Sequence, residues 1–135
     1  MSLATKTISI AENTINITIT HINQTNNKAE KKSSSQVIRH QIAQLASEIE
    51  CCKQFVYSIH SSFKTSENLE KEFLMAKLTS IQLMDKVVSE CFEIFGTYDS
   101  LEDHPLETIF QKSKMLQISN SKRDLRANIS RLLIS

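Results

Sequence analysis

The side chains able to do chemistry are few and scattered. Four histidines, His21, His40, His60 and His104, and three cysteines, Cys51, Cys52 and Cys91, are the candidates for metal ligation or nucleophilic attack. Zinc and redox centres need such residues at short, repeated spacings, and no combination of these has them. There is no serine, histidine and aspartate in the order of a nucleophile elbow. Nor is there a tight carboxylate pair in an apolar stretch, or an aromatic ladder for nucleobases. The residues themselves therefore assign no catalytic group, no cofactor-binding group and no metal ligand. His40 adjoins an apolar stripe and is expected to be partly buried and hydrogen-bonded. His104, next to Pro105, is expected to cap a helix or face water. An odd number of cysteines, with the adjacent pair inside a helical pattern, reads as reduced apolar filler in a cytoplasmic protein.

Two charged features could also carry function. Asp85 falls where an apolar stripe would turn it inward, and a buried carboxylate needs a partner or a raised pKa. The simpler expectation places it at the stripe's edge beside Lys86. Lys112, Lys114, Lys122, Arg123, Arg126 and Arg131 crowd the end of the chain, where they could hold a phosphate of a nucleotide, coenzyme A or nucleic acid. Basic residues in that pattern more often cover the wet face of terminal helices. A net charge of +1 gives no general pull toward nucleic acid or an anionic membrane, so neither is an expected partner. The charge is unevenly spread: residues 67–107 carry ten acidic and three basic side chains, and residues 111–135 six basic and one acidic, Asp124. That polarity can steer self-association.

The elements that must position these residues are helices. With 135 residues, 40% of them apolar, the chain has the size and core of one domain, residues 1–135. One glycine and one proline are too few for phosphate-cradling loops or a many-turned β fold. Ile38, Ile42, Leu45, Ile49, Cys52, Val56, Ile59 and Phe63 recur at steps of four and three, giving one stripe on a helix capped by Ser33 to Ser35. A second long helix should start near Thr65 or Ser66 and end at Gly96. It carries two stripes: Leu74, Leu78, Ile81, Val88, Phe92 and Phe95, and also Phe73, Ala76, Met84, Val87, Cys91 and Ile94. So wide an arc means contact with more than one neighbour.

Pro105 suits the first position of the next helix, with His104 or Asp103 as cap and Leu106, Ile109, Phe110, Leu116 and Ile118 as inner face. A break at Ser119 to Ser121 precedes a last helix with Leu125, Ile129 and Leu132 inward, where Ser121 and Asp124 resemble a capping box. Residues 1–35 are the ambiguous part. "TISIAENTINITIT" alternates as a strand would at Ile15, Ile17 and Ile19, but Ile8, Ala11, Ile15, Thr18 and Ile22 also fit a helix. A solitary hairpin would be marginal, so a helix followed by a polar connection is favoured. No apolar run reaches membrane-spanning length, and no signal-peptide core opens the chain.

With the helices placed, residues 36–134, and more faintly the first helix, resemble the C-terminal helical domain of the acyl-CoA dehydrogenase family. The match is carried by "QVIRHQIAQLASEIE", "MAKL", "FEIFGTY", "HPLETIF" and "MLQIS", in order and with spacings kept. The resemblance implies an all-α fold, an up-and-down four-helix bundle, and assembly into dimers or tetramers.

It also shows what has been lost. Most family members remove a proton with a glutamate in a Tyr-Glu-Gly-Thr stretch just before the last helix. Here that stretch reads Ser119-Asn120-Ser121-Lys122, and an amide has no usable basicity. The family's flavin contacts become Thr25, then Lys28-Ala29-Glu30, then Glu93 and Thr97, then Gln111-Lys112. A dinucleotide would meet a negative charge and added side chains there. The upstream domains that complete the family's pocket are not in this chain.

The expectation is a non-catalytic, degenerate relative that holds no cofactor. It would act by self-association through the helix at residues 66–95, or as an assembly or regulatory subunit of a larger flavoprotein. The alternative is the helical subunit of a split FAD-dependent acyl-CoA dehydrogenase, its other domains on a separate chain.

Overall fold

A computed structural model describes residues 2–26, 32–63, 69–98 and 105–134. Five helices account for almost all of them: α1 (Ser2–Asn26), α2 (Lys32–Phe63), α3 (Glu70–Tyr98), α4 (Pro105–Ser119) and α5 (Lys122–Leu133). The strand-like reading of the first segment gives way to a helix, because its buried positions follow the helical period. Ala4, Thr7, Ile8, Ala11, Thr14, Ile15, Thr18 and Ile22 are all buried. Threonines can occupy this core because their hydroxyls bond within the helix: Thr7 to the Ala4 carbonyl at 2.9 Å, Thr14 to Ile10 at 2.7 Å and Thr18 to Thr14 at 2.8 Å.

Pairs between helices set their directions. Lys53 meets Glu12 at 3.0 Å and Ile22 packs with Ile38, so α1 and α2 run antiparallel. Gln41 donates to Glu90 at 2.8 Å and Lys86 to Glu48 at 2.9 Å, so α2 and α3 are antiparallel too. Phe92 lies 4.7 Å from Phe110 and Asp85 accepts from Gln117, which makes α4 antiparallel to α3. α1 and α3, both antiparallel to α2, are parallel to each other and meet where His21 stacks on Phe95 at 4.3 Å between ring centroids. The first four helices thus alternate up and down, and α5 is the last helix expected after the break at Ser119 to Ser121, one more than the four-helix bundle that the resemblance implies.

α3 is the hub, packing on α1, α2, α4 and α5. Both of its predicted stripes are used. Ala76, Ile81, Met84, Val87, Val88, Cys91, Ile94 and Phe95 are buried, while Phe73, Leu74, Leu78 and Phe92 are half-buried. The α2 stripe is buried from Ile38 to Ile59, with Ile42 half-buried.

Several punctuation marks fall differently from expectation. Ser33 to Ser35 lie inside α2, which starts at Lys32, because no breaker separates them from it. Gly96 does not end α3, which continues to Tyr98, and a Cβ there would meet nothing within 4 Å. The cap assigned to Thr65 or Ser66, and the one assigned to His104 or Asp103, lie outside the described residues. Pro105 does open α4. Ser121 caps α5, its hydroxyl accepting from the Asp124 amide at 3.3 Å.

Ile118 and Leu132 turn outward. On α4, Leu106, Phe110, Ser113 and Gln117 follow one another at helical steps on the α3 side, and Ile118 lies about 110° round from their mean direction. Ile118 is 83% exposed, while Ser113 is buried with its hydroxyl on the Phe110 carbonyl at 3.0 Å.

Candidate functional site

The position matched to the family's proton-abstracting glutamate is the α4–α5 break. α4 runs out at Ser119, and Asn120 with Ser121 is non-helical before α5 begins. Asn120 is half-buried and occupied: both its backbone amide and its side-chain Nδ2 donate to the Leu116 carbonyl, each at 3.1 Å. It closes the last turn of α4, satisfying a carbonyl that a helix end otherwise leaves open. The Asn120 side chain thus serves as a hydrogen-bond donor to α4, and an amide has no usable basicity.

Beside this break lies the densest polar cluster among the described residues. The Asp85 carboxylate on α3 accepts from Gln117 at 3.1 Å and Lys114 at 3.3 Å, both on α4, and from Lys122 at 3.3 Å, on α5. Its side chain is 29% exposed. Asp85 is thus not a solitary buried acid but a half-buried residue at the stripe's edge, with partners from α4 and α5, while its neighbour Lys86 holds Glu48. Partial burial alone would raise its pKa, but the hydrogen bonds from Gln117, Lys122 and Lys114 outweigh it and hold the carboxyl below the usual range. The basic tail is correspondingly divided. Lys114 and Lys122 are engaged with Asp85, whereas Lys112, Arg123, Arg126 and Arg131 face solvent.

The positions matched to flavin contacts do not gather near this cluster. Glu93 is exposed on α3, and Gln111 and Lys112 are exposed on α4. The Phe92–Phe110 contact puts them one end of α4 away from Asn120, some ~15 Å along the helix. Lys28, Ala29 and Glu30 lie outside the described residues, as do the side chains of Thr25 and Thr97.

The histidines stay apart. His40 and His60 are exposed, the former contrary to expectation because it lies off the α2 stripe, and His21 is half-buried on Phe95. Cys52 and Cys91 are buried, and burial pushes each thiol up to about 11, while Cys51 is exposed. Among the described residues no group of three or more histidine, cysteine or acidic side chains could hold a metal.

A half-open groove of about 560 Å³ runs between α2 and α3, walled by Gln44, Cys51, Phe55, Thr79 and Leu83 with the Glu48–Lys86 pair toward one end. Sequence reasoning did not foresee it. Nor did it foresee the Asp85 cluster, whose partners lie 29, 32 and 37 residues away, with no local pattern to signal them. No described helix is long and apolar enough to cross a membrane.

The class that these features define is an all-helical bundle whose fourth helix is closed by Asn120 at the break before the last one. The chain belongs to the acyl-CoA dehydrogenase family, through the family's C-terminal domain, whose model matches residues 1–129. It is 22% identical over 128 residues to the mitochondrial short/branched chain specific acyl-CoA dehydrogenase of Bos taurus, covering 95% of this chain and 30% of that protein. It is 21% identical over 118 residues to the CarC subunit of the caffeyl-CoA reductase-Etf complex of Acetobacterium woodii, covering 87% of this chain and 31% of that one.

Among solved structures it superposes on a chain from a study of the electron transferring flavoprotein of Acidaminococcus fermentans. The TM-score is 0.82 at 23% identity, over 98% of this chain and 35% of that one. That likeness concerns the fold. The chain spans about a third of the length of these relatives.

Proposed function

We propose that this chain is a non-catalytic acyl-CoA dehydrogenase C-terminal-domain-like protein. As a single cytoplasmic domain without its own flavin, it acts by association, as a dimer or tetramer of itself or as an assembly or regulatory subunit of a larger flavoprotein. The observation that carries the reading is Asn120. Where relatives keep a base, this chain has an amide committed to the Leu116 carbonyl. The flavin-contact positions support it, since Glu93 and Gln111 offer a dinucleotide neither a positive charge nor a bare backbone. Exposed Met115 and Ile118 on α4, 69% and 83% accessible, supply an apolar surface next to the same break.

The test has two arms. Light scattering after size exclusion over a concentration series should show a species larger than the monomer. The double substitution Met115→Ser and Ile118→Ser should shift it toward monomer without lowering the melting temperature. Absorbance of the purified protein and an acyl-CoA oxidation assay with an artificial electron acceptor should both be blank. A flavin band with turnover would overturn the reading. A second reading, the helical subunit of a split FAD-dependent acyl-CoA dehydrogenase, is supported by the match to only about 30% of each relative's length. It predicts flavin retention only after co-expression with a chain carrying the remaining domains.

A further inference from the structure

α5 is attached unlike the other helices. α1, α2, α3 and α4 each pack on at least two neighbours, whereas α5 packs substantially on α3 alone. Only Leu125 and Ile129 of α5 are buried, and Arg123, Asp124, Arg126, Ala127, Asn128 and Ser130 to Leu133 are exposed. The helix is 12 residues long, at or below the length at which an isolated helix holds together in water. Its entry is the non-helical pair Asn120 and Ser121, a natural joint.

What remains to fix it is short to state: two apolar side chains on α3, the Ser121 cap, and the bond from Lys122 to Asp85 at 3.3 Å. The same carboxylate takes Lys114 and Gln117 from α4, so its grip on α4 does not depend on α5. An element held by one substantial neighbour through two buried side chains opens at a lower free energy than the core around it.

We propose that α5 is a latched helix. It undocks from α3 as a unit while α1 to α4 stay folded, and the Lys122–Asp85 pair is the latch. The inference rests on the packing alone and does not depend on the proposed function. Undocking uncovers the strip of α3 beneath Leu125 and Ile129 and frees Lys122.

Hydrogen exchange with mass spectrometry on the full chain tests this. It follows the amides from Leu125 to Ile129, inside the frayed end, against those of α3 from Leu83 to Cys91. Exchange in α5 should be at least ~10-fold faster than in α3. Lys122→Met should accelerate α5 further, by roughly fivefold, and leave α1 to α3 unchanged. Asp85→Asn should act on α5 in the same direction. Equal exchange of α5 and α3 in the unmodified protein would overturn independent undocking. An unchanged α5 rate in Lys122→Met, or an equal acceleration of all helices, would overturn the latch.

Discussion

Asn120→Glu puts the family's base back into this scaffold, and its cost can be worked out from the break. The amide Nδ2 donates to the Leu116 carbonyl at 3.1 Å, and an ionised glutamate has nothing to donate. Losing such a bond costs about 0.5–1.5 kcal/mol, toward the lower end here because the Asn120 backbone amide still serves the same oxygen. A new negative charge at the C-terminal end of α4 faces the negative pole of that helix's dipole, for up to about 1 kcal/mol more, part of which the positive pole of α5, capped at Ser121, offsets.

The sum, roughly 1–2 kcal/mol, should lower the melting temperature by about 3–6 °C in a chain of this size. Far-ultraviolet circular dichroism melts of both proteins measure it. Repeating them about one unit below the ordinary glutamate pKa of ~4.3 should recover the electrostatic part of the loss and leave the hydrogen-bond part. Asn120→Ala, which drops the bond without adding charge, should lie between the two. A melting temperature for Asn120→Glu equal to or above that of the parent would refute the capping role, and with it the account of why the acid is absent.

Asp85→Leu should lower the melting temperature by about 3 °C or more, since Lys114, Gln117 and Lys122 lose their common acceptor; no change would mean the cluster contributes nothing. The Asp85 pKa is lowered on folding, so its contribution is complete above the unfolded carboxylate pKa. It is lost as pH falls through the lower folded value, and the acid limb of a denaturation profile should flatten in Asp85→Asn. For Cys52 and Cys91, raised from 9.0 to about 11 by burial, stability should be full below the unfolded thiol pKa and decline as pH climbs toward about 11. A thiol reagent at neutral pH should label Cys51 and spare both until the protein unfolds. Thr14→Val should leave the melting temperature within about 2 °C, because the Ile10 carbonyl keeps its helical amide when the hydroxyl goes; a larger drop would show that the hydroxyl has a further partner.

Much of this molecule is written locally. The helical period of α2, the double stripe of α3, proline opening α4 and the serine cap of α5 are each decided within a turn or two. There, backbone geometry leaves few choices, and the residue types alone declare them. The period of α1 was legible too, once alternating isoleucines were weighed against helical spacing. Thr18 stood on that stripe but Thr7 and Thr14 did not, because a hydroxyl becomes compatible with the core only once it bonds to its own helix in the folded chain.

What lies between helices was settled only by packing. Ile118 and Leu132 belong to plausible apolar faces, yet an apolar arc is wider than the line along which a neighbour touches it, and the neighbour's position decides which part is covered. The Asp85 cluster joins residues from three helices, far apart in sequence. A carboxylate and two lysines attract over a distance that no sequence pattern records, and they meet only because α3, α4 and α5 dock as they do.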